Sequence, residues 1–252
     1  MLRGRIPCGT SLVMIEQTHT DRLPQRTPRY PLWLLSGFWI CVAISLAVVV
    51  RRLSELIVPS QRSPARMASL DATFASHAAL TTMHIIPAAI FVILAAVLLL
   101  RRAGSEWLER LFFFFGLFTG LTAYAMSRYA IGGWVERTAV LLFDTWFLFS
   151  LCRALQCYLE GDPARKRTWT IRAVGTLLGI ATTRPVMGVF FATSPGTHLT
   201  PDKFFGIAFW IGFSINVVVV EFWLHSKRRA QLHGANRALA TKISGSVTAT
   251  FL

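Results

Sequence analysis

The stretch HAALTTMHIIPAAIFVILAAVLLL, residues 77–100, decides the fold class of this chain. Its 24 residues include no Asp, Glu, Lys or Arg. A helix of this length is about 36 Å long at 1.5 Å per residue, and the hydrocarbon core of a bilayer is about 30 Å thick. Because the stretch lacks the strict alternation of a barrel strand, a helix is the structure that satisfies its backbone polar groups in lipid. We therefore predict a transmembrane helix.

Five further apolar stretches of similar length accompany it. The six predicted membrane helices are residues 32–50, 77–100, 108–127, 139–158, 170–192 and 205–224. Of the 252 residues, 54% are hydrophobic and only 15% are charged, whereas a soluble domain carries about a quarter charged residues. The sequence thus predicts an all-α fold, a polytopic transmembrane bundle of six helices, and excludes an ordinary soluble domain.

Polar segments flank the predicted membrane domain, residues 32–224. Residues 1–31 hold five arginines and no apolar core, so they predict a disordered cytoplasmic tail and not a signal peptide. Residues 225–252 carry five Lys and Arg residues and predict a second, basic cytoplasmic tail.

The positions of the cations predict the orientation. The chain has 26 Lys and Arg against 12 Asp and Glu, a net charge of +14. With the N-terminus inside, 16 cations lie in cytoplasmic segments and seven in outer loops, so the positive-inside rule places both termini in the cytoplasm. Since most cations flank apolar stretches, we interpret them as contacts to anionic lipid headgroups and expect no nucleic-acid partner. We predict a multipass protein of the bacterial inner membrane.

Cysteine, histidine and motif patterns bear on metals, cofactors and catalysis. The four cysteines form no CxxC pair, so neither a metal site nor a disulfide framework is expected. His77 and His84 share one predicted helix, whereas bis-histidine haem in a bundle needs ligands from two helices at one depth, so no haem or other cofactor is expected. The sequence contains no Walker, dinucleotide-binding, HExxH or GxSxG motif. The sequence leaves enzymatic activity undecided, and the absence of a catalytic motif weighs against it.

Two GxxxG patterns predict close helix packing. Gly116 and Gly120 belong to the third predicted helix, and Gly175 and Gly179 belong to the fifth. Small residues at this spacing let helix backbones approach each other where lipid supplies no hydrophobic driving force between helices. Packing within the chain and homodimerisation are both compatible with the pattern.

Polar side chains inside the predicted helices indicate a candidate site. His84, Tyr124, Asp144 and Arg184 belong to four helices and fall at similar depth in the outer half of the bundle. Arg184 keeps its charge at any accessible pH, so within a membrane it needs an anion, a water-filled cavity or a headgroup. Asp144 is the acid at comparable depth, and we expect the two to form an ion pair. We interpret the cluster as a site for a small ligand, a proton or a quinone-like headgroup, with a purely structural cluster as the alternative.

A pattern of Arg, Trp and His residues overlaps this region. The positions that carry it are His84, Trp107, Leu108, Arg110, Arg167, Trp169, Ile171, Arg172 and Arg184. Over roughly residues 80–191 the chain resembles the bacterial membrane-protein family named domain of unknown function 2306. That family has an early helical histidine, a loop resembling His-Arg-Trp-Leu-Gly-Arg and a later loop resembling His-Arg-x-Trp-Met-Ile-Arg.

The chain departs from the resembled pattern at several loop positions. In the first loop, Ser105, Glu106 and Glu109 stand in place of His, Arg and Gly. In the second loop, Lys166 stands in place of His and Thr170 in place of Met. The resemblance implies a multipass membrane protein and no particular activity. It adds weight to His84, Arg172 and Arg184 as functional positions.

Three function classes are compatible with these patterns. The first is a membrane protein that binds a small or quinone-like ligand, the second a transporter of a small solute or proton, and the third a structural or assembly protein without a ligand. Common secondary transporters contain internal repeats and broken half-helices. The sequence displays neither, which weighs against the second class.

Reporter fusions test the predicted orientation. A reporter that is active only outside the cytoplasm should be inactive when fused near residues 30, 104, 164 and 230. The same reporter should be active near residues 65, 133 and 198, because successive crossings alternate in direction. An odd number of crossings between the two termini would contradict the six-helix topology.

Overall fold

The computed structural model describes residues 30–57, 72, 74–100, 105–198 and 200–250. The helices of this described part are α1 (Leu32–Ile57), α2 (Ala78–Leu100), α3 (Glu106–Met126), α4 (Gly133–Leu159), α5 (Pro163–Leu177), α6 (Gly179–Thr197) and α7 (Pro201–Thr250), with a short 3-10 turn at Ser127–Tyr129. Six segments of them are long and apolar enough to cross a membrane, and α5 and α6 together make the fifth. The predicted all-α bundle with six membrane helices is confirmed.

The predicted segments fall on these helices, several of which extend further. α1 continues beyond the predicted end at residue 50, through Arg51 and Arg52, to Ile57. α4 begins at Gly133, six residues before the predicted start at 139. α7 reaches Thr250, so the segment predicted as a basic tail is helical to that residue. Residues 1–29, predicted to be disordered, lie outside the described residues.

The fifth span is interrupted near its middle. The span runs over Pro163–Ser194, and Leu178 separates α5 from α6 within it. The sequence predicts one helix over residues 170–192, whereas the structure divides this segment at Leu178. Leu178 keeps right-handed helical dihedral angles and its backbone nitrogen donates to the oxygen of Val174 at 3.0 Å, so the interruption is a turn of one residue. The expectation that the chain has no broken half-helix stays a prediction.

An asparagine of α7 stabilises this interruption. The side-chain nitrogen of Asn216 donates to the backbone oxygen of Gly175 at 3.1 Å. The side-chain oxygen of Asn216 accepts from the hydroxyl of Thr182 at 2.8 Å. Asn216 thus bridges the end of α5 and the start of α6, and it supplies a partner for a backbone oxygen at a depth where lipid supplies none.

Two clusters of buried apolar side chains hold the helices together. One cluster is centred on Phe91, Phe112 and Phe147 and joins helices α1 to α5. The other is built around Phe143 of α4 and Phe205 of α7, with α6 packed against both. We call the end of the bundle that carries the turn at residues 127–132 the distal end and the opposite end the proximal end. The predicted topology places the distal end outside.

The four glycines of the GxxxG patterns lie at helix contacts within the chain. A carbon added as Cβ at Gly116, Gly120, Gly175 or Gly179 would come closer than 3.0 Å to, respectively, Phe91, Leu148, Val220 and Phe213. The two grooves are therefore filled by side chains of the same molecule. Packing within the chain accounts for both patterns, and neither groove has room for a helix of a second copy.

Other glycines allow even closer contacts, to backbone atoms. A Cβ at Gly212 of α7 would lie 2.7 Å from the backbone nitrogen of Thr183 in α6. A Cβ at Gly206 of α7 would lie 2.6 Å from the backbone nitrogen of Glu136 in α4. Because backbone atoms cannot rotate away as side chains do, these contacts fix the position of α7 against α4 and α6.

Replacing Gly212 by alanine tests this close approach. Gly212→Ala should lower the free energy of unfolding by about 1–3 kcal/mol, because the added methyl overpacks the contact with Thr183. Gly188→Ala is the matched control, since no other atom lies within 4 Å of a Cβ at this position of α6. The control should be neutral or slightly stabilising, because alanine is the better helix former. Equal thermal unfolding midpoints for the two variants in detergent would contradict the packing argument.

Candidate functional site

A partly enclosed cavity of about 230 Å³ lies in the distal half of the bundle. Side chains from all seven helices line it, and most of them are apolar, as are Val48, Phe143 and Phe209. Its volume is just below the roughly 300–1,000 Å³ of typical small-molecule pockets. A cavity of this size and character suits one small group, such as the headgroup of an amphipathic ligand.

Five charged or titratable side chains from four helices interrupt the apolar lining. They are Arg52, His84, Glu136, Asp144 and Arg184. His84, Asp144 and Arg184 are three of the four residues that the sequence groups together by depth. The structure therefore brings these three to one cavity and adds Glu136 and Arg52 to them.

His84 is held by a threonine of α3. Its Nδ1 lies 3.0 Å from the hydroxyl oxygen of Thr122. The single proton of that hydroxyl is within hydrogen-bonding distance of two backbone oxygens of α3, each at 2.9 Å. When Thr122 donates to one of these oxygens, Nδ1–H of His84 donates to Thr122. A neutral His84 then carries its lone pair on Nε2, where it can accept a hydrogen bond or a proton.

The expected ion pair between Asp144 and Arg184 is not formed. Nε of Arg184 and Oδ2 of Asp144 are both buried, and neither has a hydrogen-bond partner among the described residues. Nη1 of Arg184 donates a weak hydrogen bond to the sulfur of Met187 at 3.8 Å. Both side chains thus present unused hydrogen-bonding capacity at the cavity.

Glu136 is the second acid at the cavity, and it attracts Arg184 without forming one of the described ion pairs. It is buried in the first turn of α4, and its Oε2 accepts from the backbone nitrogen of Gly132 at 2.7 Å. A carboxylate is favourable at this position because the N-terminus of a helix carries partial positive charge. The sequence misses Glu136 because it predicts the helix to begin at residue 139. The pair Gly132-Gly133 followed by an acid is a helix-start signal that could have identified it.

Tyr124 lies outside the cavity lining and has a structural role. Its hydroxyl contacts the hydroxyl of Thr145 on α4. Thr145 donates its own proton to the backbone oxygen of Leu141 at 2.6 Å, so Tyr124 is the donor in the pair. The expected place of Tyr124 in the polar cluster is not borne out, because the side chain instead links α3 to α4.

The motif positions of the two loops lie at the proximal end, whereas His84 and Arg184 line the cavity. Trp107 and Arg110 are exposed on the first turns of α3, and Arg110 pairs with Glu106 at 3.4 Å. Arg172 forms a bidentate ion pair with Glu221 of α7, with N–O distances of 2.5 and 2.9 Å. Buried or half-buried pairs of this geometry are among the stronger hydrogen bonds in proteins.

The remaining motif positions, Trp169 and Arg167, pack with the same group. The guanidinium of Arg172 lies over the ring of Trp169, 4.5 Å from its centroid. Arg167 donates to the hydroxyl oxygen of Tyr30 at the start of α1. These contacts join α1, α5 and α7 at the proximal end, and they assign the motif positions a packing role in this structure.

Comparison with known proteins finds no matching protein-family model, curated protein or solved structure. The resemblance to domain of unknown function 2306 therefore stays a prediction. Among the described residues, no three His, Cys, Asp or Glu side chains lie together in a way that could hold a metal ion. The distal cavity is the described feature that bears on function.

Double-mutant cycles test which acid is coupled to Arg184. In the cycle of Glu136→Gln with Arg184→Gln, the coupling energy should be about 0.5–3 kcal/mol, because each single change removes one of two buried charges that attract each other. The double variant should be less destabilised than the sum. The control cycle pairs Arg184→Gln with Asp144→Asn and should show the smaller coupling energy. Both cycles are measured by unfolding in detergent. A larger coupling energy in the control cycle would indicate that Arg184 pairs with Asp144 and not with Glu136.

Proposed function

We propose that this protein binds a small ligand with a quinone-like polar headgroup in the distal cavity. One observation carries the proposal. A donor, Nε–H of Arg184, and an acceptor, Oδ2 of Asp144, are both buried at the cavity without a partner among the described residues. Leaving such a group unpaired costs about 1–3 kcal/mol or more. Pairs of unused groups of this kind are typical of places where a ligand or a bound water completes the hydrogen bonding.

The chemistry of a quinone headgroup complements these groups. A quinone carbonyl oxygen accepts hydrogen bonds, which Nε–H of Arg184 can donate. The hydroxyl of the reduced form donates a hydrogen bond, which Oδ2 of Asp144 can accept. Nε2 of neutral His84 supplies a further acceptor. The apolar lining, including Phe143 and Phe209, suits the ring and its hydrocarbon substituents.

The position of α1 supports a ligand that arrives from the lipid phase. α1 is the least buried of the six spans, with 11% of its most apolar window inside the protein. It nevertheless supplies one wall of the cavity through Ser45, Val48 and Val49. A wall with so few neighbours separates the cavity from the bilayer, which is where a hydrophobic ligand dissolves.

The same proposal includes the location and orientation of the protein. The excess of Lys and Arg in alternate segments supports a bacterial inner membrane protein with both termini in the cytoplasm. With this orientation the cavity lies in the outer half of the membrane. A lipid-soluble ligand is available at that depth, whereas a water-soluble one has to enter from outside.

Transport of a small solute or proton is the second candidate, and the interruption of the fifth span favours it. Discontinuous helices commonly form the substrate and ion sites of secondary transporters, near the middle of the membrane. Leu178 lies close to the middle of its span, and Thr176, Leu177 and Ile180 on either side of it line the cavity. A transporter would have to connect this cavity to the proximal end as well.

Equilibrium binding of a short-chain ubiquinone analogue to the purified protein in detergent tests the first candidate. Arg184→Gln and Asp144→Asn should each weaken binding by about tenfold or more, because a hydrogen bond to a charged group is lost. Tyr124→Phe is the matched control and should bind as the wild type does, since Tyr124 does not line the cavity.

Two results would count against quinone binding. One is the absence of saturable binding to the folded wild-type protein. The other is an equal loss of affinity in Tyr124→Phe, which would indicate a general loss of structure. Proteoliposomes that carry a pH-sensitive dye separate the second candidate, because a proton transporter changes the internal pH and a binding protein does not.

A further inference from the structure

We propose that Arg167 and Lys227 form a separate site at the proximal end that binds the phosphate of an anionic phospholipid. Arg167 lies in the first turns of α5, and Lys227 lies on α7, three residues after the predicted membrane segment ends at 224. Both side chains are half-buried between helices. This inference does not rest on the distal cavity.

The neighbouring cations at this end already have counterions. Lys166 contacts both carboxylate oxygens of Glu109, at 2.8 and 2.9 Å. Arg172 holds both oxygens of Glu221. Glu109 and Glu221 are therefore already paired with cations other than Arg167 and Lys227.

Arg167 and Lys227 lie on neighbouring aromatic rings without such compensation. Neither takes part in the ion pairs of the described residues, and each contacts one of the two packed rings of Tyr30 and Trp223. Two like charges held together in a partly buried place destabilise the site unless an anion lies between them. A phosphate carries the charge and the acceptor oxygens that both side chains require.

Aromatic rings hold the two cations in place. Nε and Nη2 of Arg167 donate to the hydroxyl of Tyr30 at 3.1 and 2.7 Å, which leaves Nη1 for a ligand. Nζ of Lys227 lies 5.4 Å from the ring centroid of Trp223, and the rings of Tyr30 and Trp223 are 5.7 Å apart. The site is thus an ordered arrangement of two cations on two packed rings and not a pair of mobile surface charges.

The surroundings favour a lipid phosphate over a free one. Tyr and Trp are typical of the membrane–water boundary, where phospholipid headgroups lie. Basic pockets between membrane helices commonly bind anionic headgroups on the cytoplasmic side. Phe222 of α7, beside this site in the sequence, is exposed and offers apolar surface to an acyl chain.

Thermal unfolding of the delipidated protein in detergent tests the site. Added phosphatidylglycerol should raise the unfolding midpoint, because a ligand that binds the folded state stabilises it. Phosphatidylcholine at the same concentration should raise it less, since its headgroup has no net charge. Inorganic phosphate should leave it unchanged. An equal rise with phosphate would overturn the assignment to a lipid, and equal rises with the two lipids would overturn the assignment to an anionic headgroup.

Paired charge removals distinguish this site from general electrostatic attraction. The double variant Arg167→Gln with Lys227→Gln should need about tenfold or more phosphatidylglycerol to reach the same rise in the unfolding midpoint. Arg165→Gln with Arg228→Gln removes the same charge from exposed neighbours on the same two helices and should preserve the effect. Equal losses in both double variants would overturn the proposal. If the first double variant does not fold, Lys227→Gln alone replaces it, because Lys227 donates no hydrogen bond among the described contacts. An unchanged effect of phosphatidylglycerol on Lys227→Gln would also overturn the proposal.

Discussion

Lipid offers no hydrogen-bond partner to a backbone, and the rest of this structure depends on that constraint. It makes helices the spanning elements, and it makes any interruption of a helix depend on a side chain that replaces the missing backbone contact. Asn216 does this for the fifth span by bonding to Gly175 on one side of Leu178 and to Thr182 on the other. The interruption therefore depends on α7 as much as on the fifth span itself.

The same close packing that supports the interruption also shapes the cavity. Gly212 lets α7 approach the backbone of α6 at Thr183, and Gly206 lets it approach α4 at Glu136. The first turn of α4 is thereby pressed into the bundle, which buries Glu136 and brings its carboxylate into the electrostatic range of Arg184. Small residues at the helix contacts and charged residues at the cavity are thus two parts of one arrangement. A bulkier residue at either glycine would move the acid as well as the helix.

The sequence predicts the six spans because length and hydropathy alone identify them, and it predicts the shared depth of His84, Asp144 and Arg184 because the rise of a helix converts residue number into depth. It does not predict which acid Arg184 meets, since this depends on the rotation of α4 and on a helix start six residues earlier than hydropathy indicates. The partners of Lys166 and Arg172 escape prediction for a related reason. Glu109 and Glu221 are distant in sequence, and only the folded proximal end brings them into contact with these cations.

The two ends of the bundle satisfy their charges in different ways. At the proximal end, Arg172 and Glu221 use both of their facing donors and acceptors on each other, which fixes α5 against α7. At the distal end, Arg184 has an electrostatic partner in Glu136 but leaves Nε unbonded, and Asp144 leaves Oδ2 unbonded. A pair that is complete contributes to stability and has nothing to offer a ligand. An arginine cannot escape the cost of burial by losing its proton, so the unused donor of Arg184 and the unused acceptor of Asp144 remain a cost of the folded distal end.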